Sequence, residues 1–145
     1  MSQLSFFDYK GYGEYISNLN NYRQAVRIPT NATLIKISGQ GGWDPETGDV
    51  EAATSPEALE RQVEQAFANV DRTVRAAGGK NGWDDVYLAR VYFVGIKDEG
   101  LTSGCVKALK KWKPDQKVVL TGVEVKALWS ERMRVEVEVE AYTTD

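Results

Sequence analysis

From Met133 to Tyr142 hydrophobic and polar residues alternate without a break. Met133, Val135, Val137, Val139 and Ala141 fall on one parity, and Arg134, Glu136, Glu138, Glu140 and Tyr142 on the other. A period of two with one apolar side predicts a strand that lays one face on a core and gives the other to charge. Lys117 to Leu128 reads as a further strand, joined to the last by a Trp129-Ser130-Glu131 turn. Residues 85 to 95 are apolar on both parities apart from Arg90, so the strand predicted there calls for cover on both faces.

Upstream the period changes to 3.6. Leu59, Val63, Ala66, Phe67, Val70, Val74 and Ala77 form one stripe, with Thr54 or Ser55 as N-cap, Pro56 and Glu57 in the first turn and Gly78-Gly79 as the stop. A second helix is predicted from about Asp98 to Trp112, with Leu101, Cys105, Leu109 and Trp112 inward, Lys107, Lys110 and Lys111 outward, and Pro114 as terminator. Tyr22 to Ile28 and Thr33 to Ser38 are short β-compatible runs around Pro29-Thr30-Asn31, the pattern of a hairpin. A glycine-containing loop, Gly39 to Gly48, follows. Residues 1 to 21 show neither period and read as an extended aromatic arm ahead of one domain over 22–145. The order is ββαβαββ, an α+β sandwich with helices on one face of a sheet.

Composition narrows the chemistry. The 145 residues include no histidine, which excludes Ser-His-Asp triads, Cys-His pairs and His-ligated metal. The one cysteine, Cys105, forms neither an intrachain disulfide nor a thiolate cluster, and it reads as a small buried hydrophobe. No metal site is expected. A net charge of −3 offers nothing to a phosphate backbone, so nucleic acid is not an expected partner. The first residues carry no basic-then-apolar leader and no stretch is apolar enough to span a bilayer, so the expected location is cytoplasmic, without membrane attachment.

Five fragments, taken in order, carry a resemblance. They are Tyr22-Arg23-Gln24-Ala25-Val26-Arg27-Ile28; Ser38-Gly39-Gln40; Asp44-Pro45-Glu46-Thr47-Gly48; Gln62 to Val70 with Ala76-Ala77-Gly78; and Val123-Glu124-Val125 through Glu140-Ala141. Over about residues 22 to 142 the chain resembles the YjgF family of reactive intermediate deaminases. The resemblance implies a chorismate-mutase-like fold and a homotrimer whose sheets line a central barrel, with one small-molecule cleft at each subunit interface. In the deaminating branch of the family that cleft hydrolyses enamines and imines released by pyridoxal-phosphate enzymes, giving 2-oxo acids and ammonia without any cofactor. It further implies that Tyr22, the Gly39 backbone and Glu140 surround the substrate and its attacking water.

One departure bears on substrate. Where the active branch has an arginine for the substrate carboxylate, followed by a small residue and often a cysteine, this chain reads Leu120-Thr121-Gly122. A charge-assisted bond contributes about 1.5–3 kcal/mol, so its loss weakens recognition of a small imino acid by about ten- to several-hundredfold. The asparagine often found in the family's second helix has no clear counterpart near Gly104 or Cys105, and the loop from Trp129 to Arg134 is longer than usual. The expectation is therefore a specialised hydrolytic deaminase of imine, enamine or aromatic amine-type metabolites, not a generic 2-iminobutanoate or 2-iminopropanoate deaminase. The alternative is a non-catalytic ligand-binding or chaperone-like member. Ribonuclease activity, a label often attached to the family, is argued against by the absence of histidine and the negative charge.

Each candidate residue has two readings. Glu140 handles a hydrolytic water, or belongs to a solvated charge ladder with Glu136 and Glu138. Tyr22 donates to a ligand, or packs as a strand aromatic. Trp43 stacks on a planar ligand, or plugs its own loop. Arg90 pairs with a glutamate of a neighbouring strand, or replaces the missing arginine, as Lys126 also could. Leu120, Thr121 and Gly122 line the ligand site in the arginine's place.

Overall fold

The computed structural model describes residues 3–29 and 31–144. Along the chain run β1 (Ser5–Phe7), α1 (Tyr12–Asn20), β2 (Ala25–Arg27), β3 (Thr33–Lys36), β4 (Gln40–Gly41) and α2 (Pro56–Ala76). A 3₁₀ turn (Gly82–Asp85), β5 (Val86–Phe93), α3 (Leu101–Trp112), β6 (Val119–Glu124) and β7 (Val135–Thr143) follow.

The long helix starts where its sequence says it should. Ser55 Oγ accepts the Ala58 N–H at 3.1 Å, and Pro56 occupies the first turn, where a missing N–H costs nothing. Leu59, Val63, Ala66, Phe67, Val70 and Val74 are buried, whereas Ala77 is the exposed C-cap. The Trp83 ring stacks on Phe67 at 4.7 Å between centroids, and its Nε1 donates to the Phe67 carbonyl at 2.7 Å. One buried tryptophan thus fixes the turn into β5 against the middle of α2.

β7 is the spine of the sheet. It pairs antiparallel with β5 along one edge and with β3 and β4 along the other, while β6 pairs parallel with β5, giving the order β3-β7-β5-β6. Val135, Val137, Val139 and Ala141 are buried on the side covered by α2 and α3, together with Ala89, Val91 and Phe93 of β5. The opposite face carries Glu136, Glu138, Glu140, Leu88, Arg90 and Tyr92, all half-buried.

Several expectations need correction. The described elements do not follow the simple ββαβαββ order of an α+β sandwich: there are three α-helices, and the mixed α/β sheet is open, with β3 and β6 at its edges. It does not close into a barrel, so the homotrimeric barrel is not found. The last two strands are not neighbours, because β5 lies between β6 and β7. The 26-residue spacing from β5 to β6 holds α3, and a parallel pair needs such a crossover. The hairpin predicted around Pro29 is also absent: β2 pairs with β1, and β3 with β7. Thr30, central to that predicted turn, lies outside the described residues.

Nor is the N-terminal region extended throughout, since Tyr12–Asn20 is helical. Its buried residues are Gly13 and Ser17, so the inward side is small rather than hydrophobic and leaves no apolar period to read. A Cβ at Gly13 would lie 2.7 Å from the Tyr9 ring, which is why only glycine fits. Asn21, in the left-handed region at φ 62°, ends the helix and donates through Nδ2 to the carbonyls of Leu109 and Lys113 at 3.1 and 2.9 Å. One side chain therefore caps the end of α3 and anchors α1 to it.

Two buried amides of α2 hold the glycine loop and the segment leading into β7. Asn69 Nδ2 donates to the carbonyls of Gly41 and Trp43, both at 2.8 Å, and Gln62 accepts the Arg134 N–H at 2.6 Å. Gly42 passes so close that a Cβ would fall 2.2 Å from the Gln62 carbonyl oxygen. Asn69→Ala leaves two carbonyls without their donor and is expected to cost about 1–3 kcal/mol. Urea unfolding at constant m-value checks this; an unchanged midpoint would mean that the loop is held elsewhere.

Candidate functional site

The parallel register places Leu120 beside Ala89 and Thr121 beside Arg90, so adjacent residues of the Leu120-Thr121-Gly122 string look to opposite sides of the sheet. Tyr22 is brought to the same edge by a parallel bridge between Arg23 and Val119, with the Arg23 N–H 2.7 Å from the Val118 carbonyl. Gln116 reinforces this position by donating through Nε2 to the Tyr22 carbonyl at 3.0 Å.

Two recesses meet at this edge. On the helical side a cavity of about 300 Å³ is lined by Tyr22, Leu120 and Gly122 with Val91, Phe93, Ile96 and Cys105. Burial pushes the Cys105 thiol up to about 12, so it is an inert wall and not a nucleophile. A second cavity, of about 320 Å³, is lined by Tyr22, Leu120 and Thr121 together with Arg23 and Arg90. Four of the candidate residues, Tyr22, Leu120, Thr121 and Gly122, are thereby brought together.

Glu140 joins them through Arg90. Its Oε2 is 3.4 Å from Arg90 Nη1, and its Oε1 accepts the Tyr87 hydroxyl at 2.8 Å. Tyr87 reaches this face because β5 bulges between Val86 and Leu88, setting two residues against one of β7. Burial, and then the Glu140 carboxylate, raise the Tyr87 hydroxyl well above the ordinary phenol range, so it acts as a donor only. Arg90 is also 3.9 Å from Glu138, which accepts the Tyr92 hydroxyl at 2.7 Å. The Tyr22 hydroxyl accepts from Gln24 Nε2 at 3.1 Å.

Gly39 and Trp43 lie elsewhere. They line a cavity of about 360 Å³ with Val50, Trp129, Met133 and Glu136. Trp43 is half-buried, with its ring against the Gly41 backbone. Lys126 is exposed beyond the end of β6. Among the described residues no cluster of three or more His, Cys, Asp or Glu has metal-holding geometry, and no helix is long and apolar enough to cross a membrane.

Sequence reasoning placed Glu136 and Glu138 beside Glu140 as a charge ladder but missed Tyr87 and Tyr92 as members of this face. The alternation Glu136, Glu138, Glu140 and the parity shared by Arg90 and Tyr92 were signals for every outer polar group but Tyr87. Nothing in the sequence marked the bulge.

A mixed sheet with two long helices on one face and ligand-sized recesses at its free edge defines an α/β protein suited to a small-molecule site. Residues 13–143 match the family model described as endoribonuclease L-PSP, and the chain belongs to that family, the YjgF/YER057c/UK114 or Rid family. A Yersinia pestis protein of unknown function, YyfB of the conserved Rid family, is similar at 20% identity over 97% of this chain and 98% of its own, with a TM-score of 0.79. RidA from an Antarctic Psychrobacter is 28% identical over 84% of this chain and 88% of its own, with a TM-score of 0.64. Escherichia coli TdcF, whose structure contains bound serine, shares 19% identity over 86% of this chain and 94% of its own, with a TM-score of 0.61. No curated protein matches the chain.

Burial, and then the Glu138 charge, raise the Glu136 carboxyl above its ordinary value of 4.5. Its folded form therefore holds a proton that the unfolded chain has already released. Its contribution is most favourable below about 4.5 and is lost as pH rises through the folded value. Glu136→Gln is expected to melt higher than the parent at pH 7 and to show a smaller difference at pH 4, as thermal melts at the two values would register. A difference that grows towards acid reverses the sign and the explanation.

Proposed function

We propose that the protein is a cytoplasmic homotrimer that binds a small, weakly anionic or aromatic metabolite at an interfacial cleft and acts there as a cofactor-independent hydrolytic deaminase of imines, enamines or aromatic amines. The observation that carries this reading is the apolar wall of the Tyr22 recess. Leu120 packs against the core there, beside Val91, Phe93 and Ile96. A carboxylate beside that wall would lose water without gaining a paired charge, whereas a flat apolar body would gain contact.

The chemistry needs a proton acceptor and a donor. Glu140 supplies the acceptor, with Tyr87 and Arg90 fixing its two oxygens, and Tyr22, whose oxygen accepts from Gln24, supplies a free O–H to polarise the substrate. Gly39 and Trp43 line a separate recess and take no part in this chemistry. A non-catalytic binding role is favoured by one specific feature: both Glu140 oxygens are already engaged within the chain.

Ammonia release from enamines, imines and aromatic amines generated in situ separates the two roles. For a substrate that turns over, Glu140→Gln should lower kcat at least tenfold while ligand affinity stays within about twofold. A rate unchanged within twofold removes Glu140 from the chemistry. On 2-iminobutanoate, Leu120→Arg is expected to raise kcat/KM about tenfold or more from a weak baseline, the scale of one charge-assisted contact. A parent already as fast as an arginine-bearing relative sinks the argument from the apolar wall.

Light scattering tests the assembly. A mass three times that of the 16.2 kDa chain, stable on dilution, is expected. A monomer removes the interfacial cleft.

A further inference from the structure

The recess lined by Gly39, Trp43, Gly48, Val50, Trp129, Ser130, Met133 and Glu136 combines two indoles, a thioether and one carboxylate in about 360 Å³. Trp129 is 97% exposed. A bare indole at the rim of a cavity is unfavourable in water, and it gains most when a ligand lies against it. Trp43 and the buried Met133 line the same recess and are held in place, because the Gly41 backbone sits against both side chains.

Glu136 is the charged group here, and its surroundings differ from those of its strand mates. Glu138 is engaged by Tyr92 and Arg90, and Glu140 by Tyr87 and Arg90. Among the described residues, no cation or hydroxyl engages Glu136. Its carboxylate rests instead on the Gly39 backbone, where a Cβ would come within 2.5 Å of Oε1. A half-buried carboxylate without a partner and facing indole rings attracts a positive charge on both counts: direct attraction to the carboxylate and the negative face of each ring.

We propose that the Trp43–Trp129–Glu136 recess binds an organic ammonium ion with an apolar body, the charge meeting Glu136 and the body lying against the indoles. This goes beyond the reading of the Tyr22 recess and does not depend on turnover. An inorganic cation would gain little from the rings and would keep its water, whereas a quaternary or alkylated ammonium is weakly hydrated and presents carbon to the indoles.

Choline and its uncharged counterpart 3,3-dimethylbutan-1-ol have nearly the same shape, so calorimetric titration of the full-length protein with each isolates the charge. Choline is expected to bind at least tenfold more tightly than the alcohol at pH 7. Trp129→Ala and Glu136→Gln should each weaken choline at least fivefold, with circular dichroism confirming the fold, while Tyr15→Ala, which removes an exposed ring on α1, should not. Equal affinity for the alcohol overturns the proposal, and so does choline binding that both recess variants retain within twofold. Neither result alters the ammonia-release assay or the light scattering, so failure here is distinguishable from failure of the deaminase reading.

Discussion

A strand paired on both edges, with valines on one side and glutamates on the other, is the constraint from which the rest of the molecule follows. β7 cannot slip by one residue, because a slip would bury Glu136, Glu138 and Glu140 under α2 and α3 and expose Val135, Val137 and Val139. Its register in turn fixes β5 alongside it, and β5 fixes β6 through the α3 crossover. The edge at which Tyr22, Leu120 and Thr121 meet is therefore set by a pairing two strands away.

The glutamate face has to be managed electrostatically. Three carboxylates two residues apart repel one another, and the fold answers with one guanidinium shared between two of them and with two tyrosine hydroxyls. Glu136, the member left over, is also the one whose carboxyl is raised by burial and by Glu138. The residue without a partner is thus also the one whose charged form is least favoured, and it shares a recess with the exposed Trp129.

Small and amide side chains do much of the positioning. Asn21, Gln62, Asn69 and Gln116 reach carbonyls or amide groups far away in sequence, tying α1 to α3, α2 to the glycine loop and to the segment before β7, and Tyr22 to the β6 edge. Buried amides of this kind stabilise only when every group finds its partner, and each here bonds the backbone of another segment.

The sequence alone determined α2 with its cap at Thr54 or Ser55, most of α3, the alternation of β7, and a chemistry without imidazole, since these depend on local period and on residue type. The resemblance in ordered fragments also identified the family. Only the tertiary structure decided that β5 separates β6 from β7, that β2 joins β1 and not β3, and that Tyr12–Asn20 is a helix. It also split the candidate residues, leaving Gly39 and Trp43 with Glu136 and Tyr22 with Leu120. The physical reason is that alternation tells a strand which face to bury but not which neighbour to bond. A helix buried through Gly13 and Ser17 has no apolar period, and a bulge that swings Tyr87 onto Glu140 leaves no mark in the order of residues.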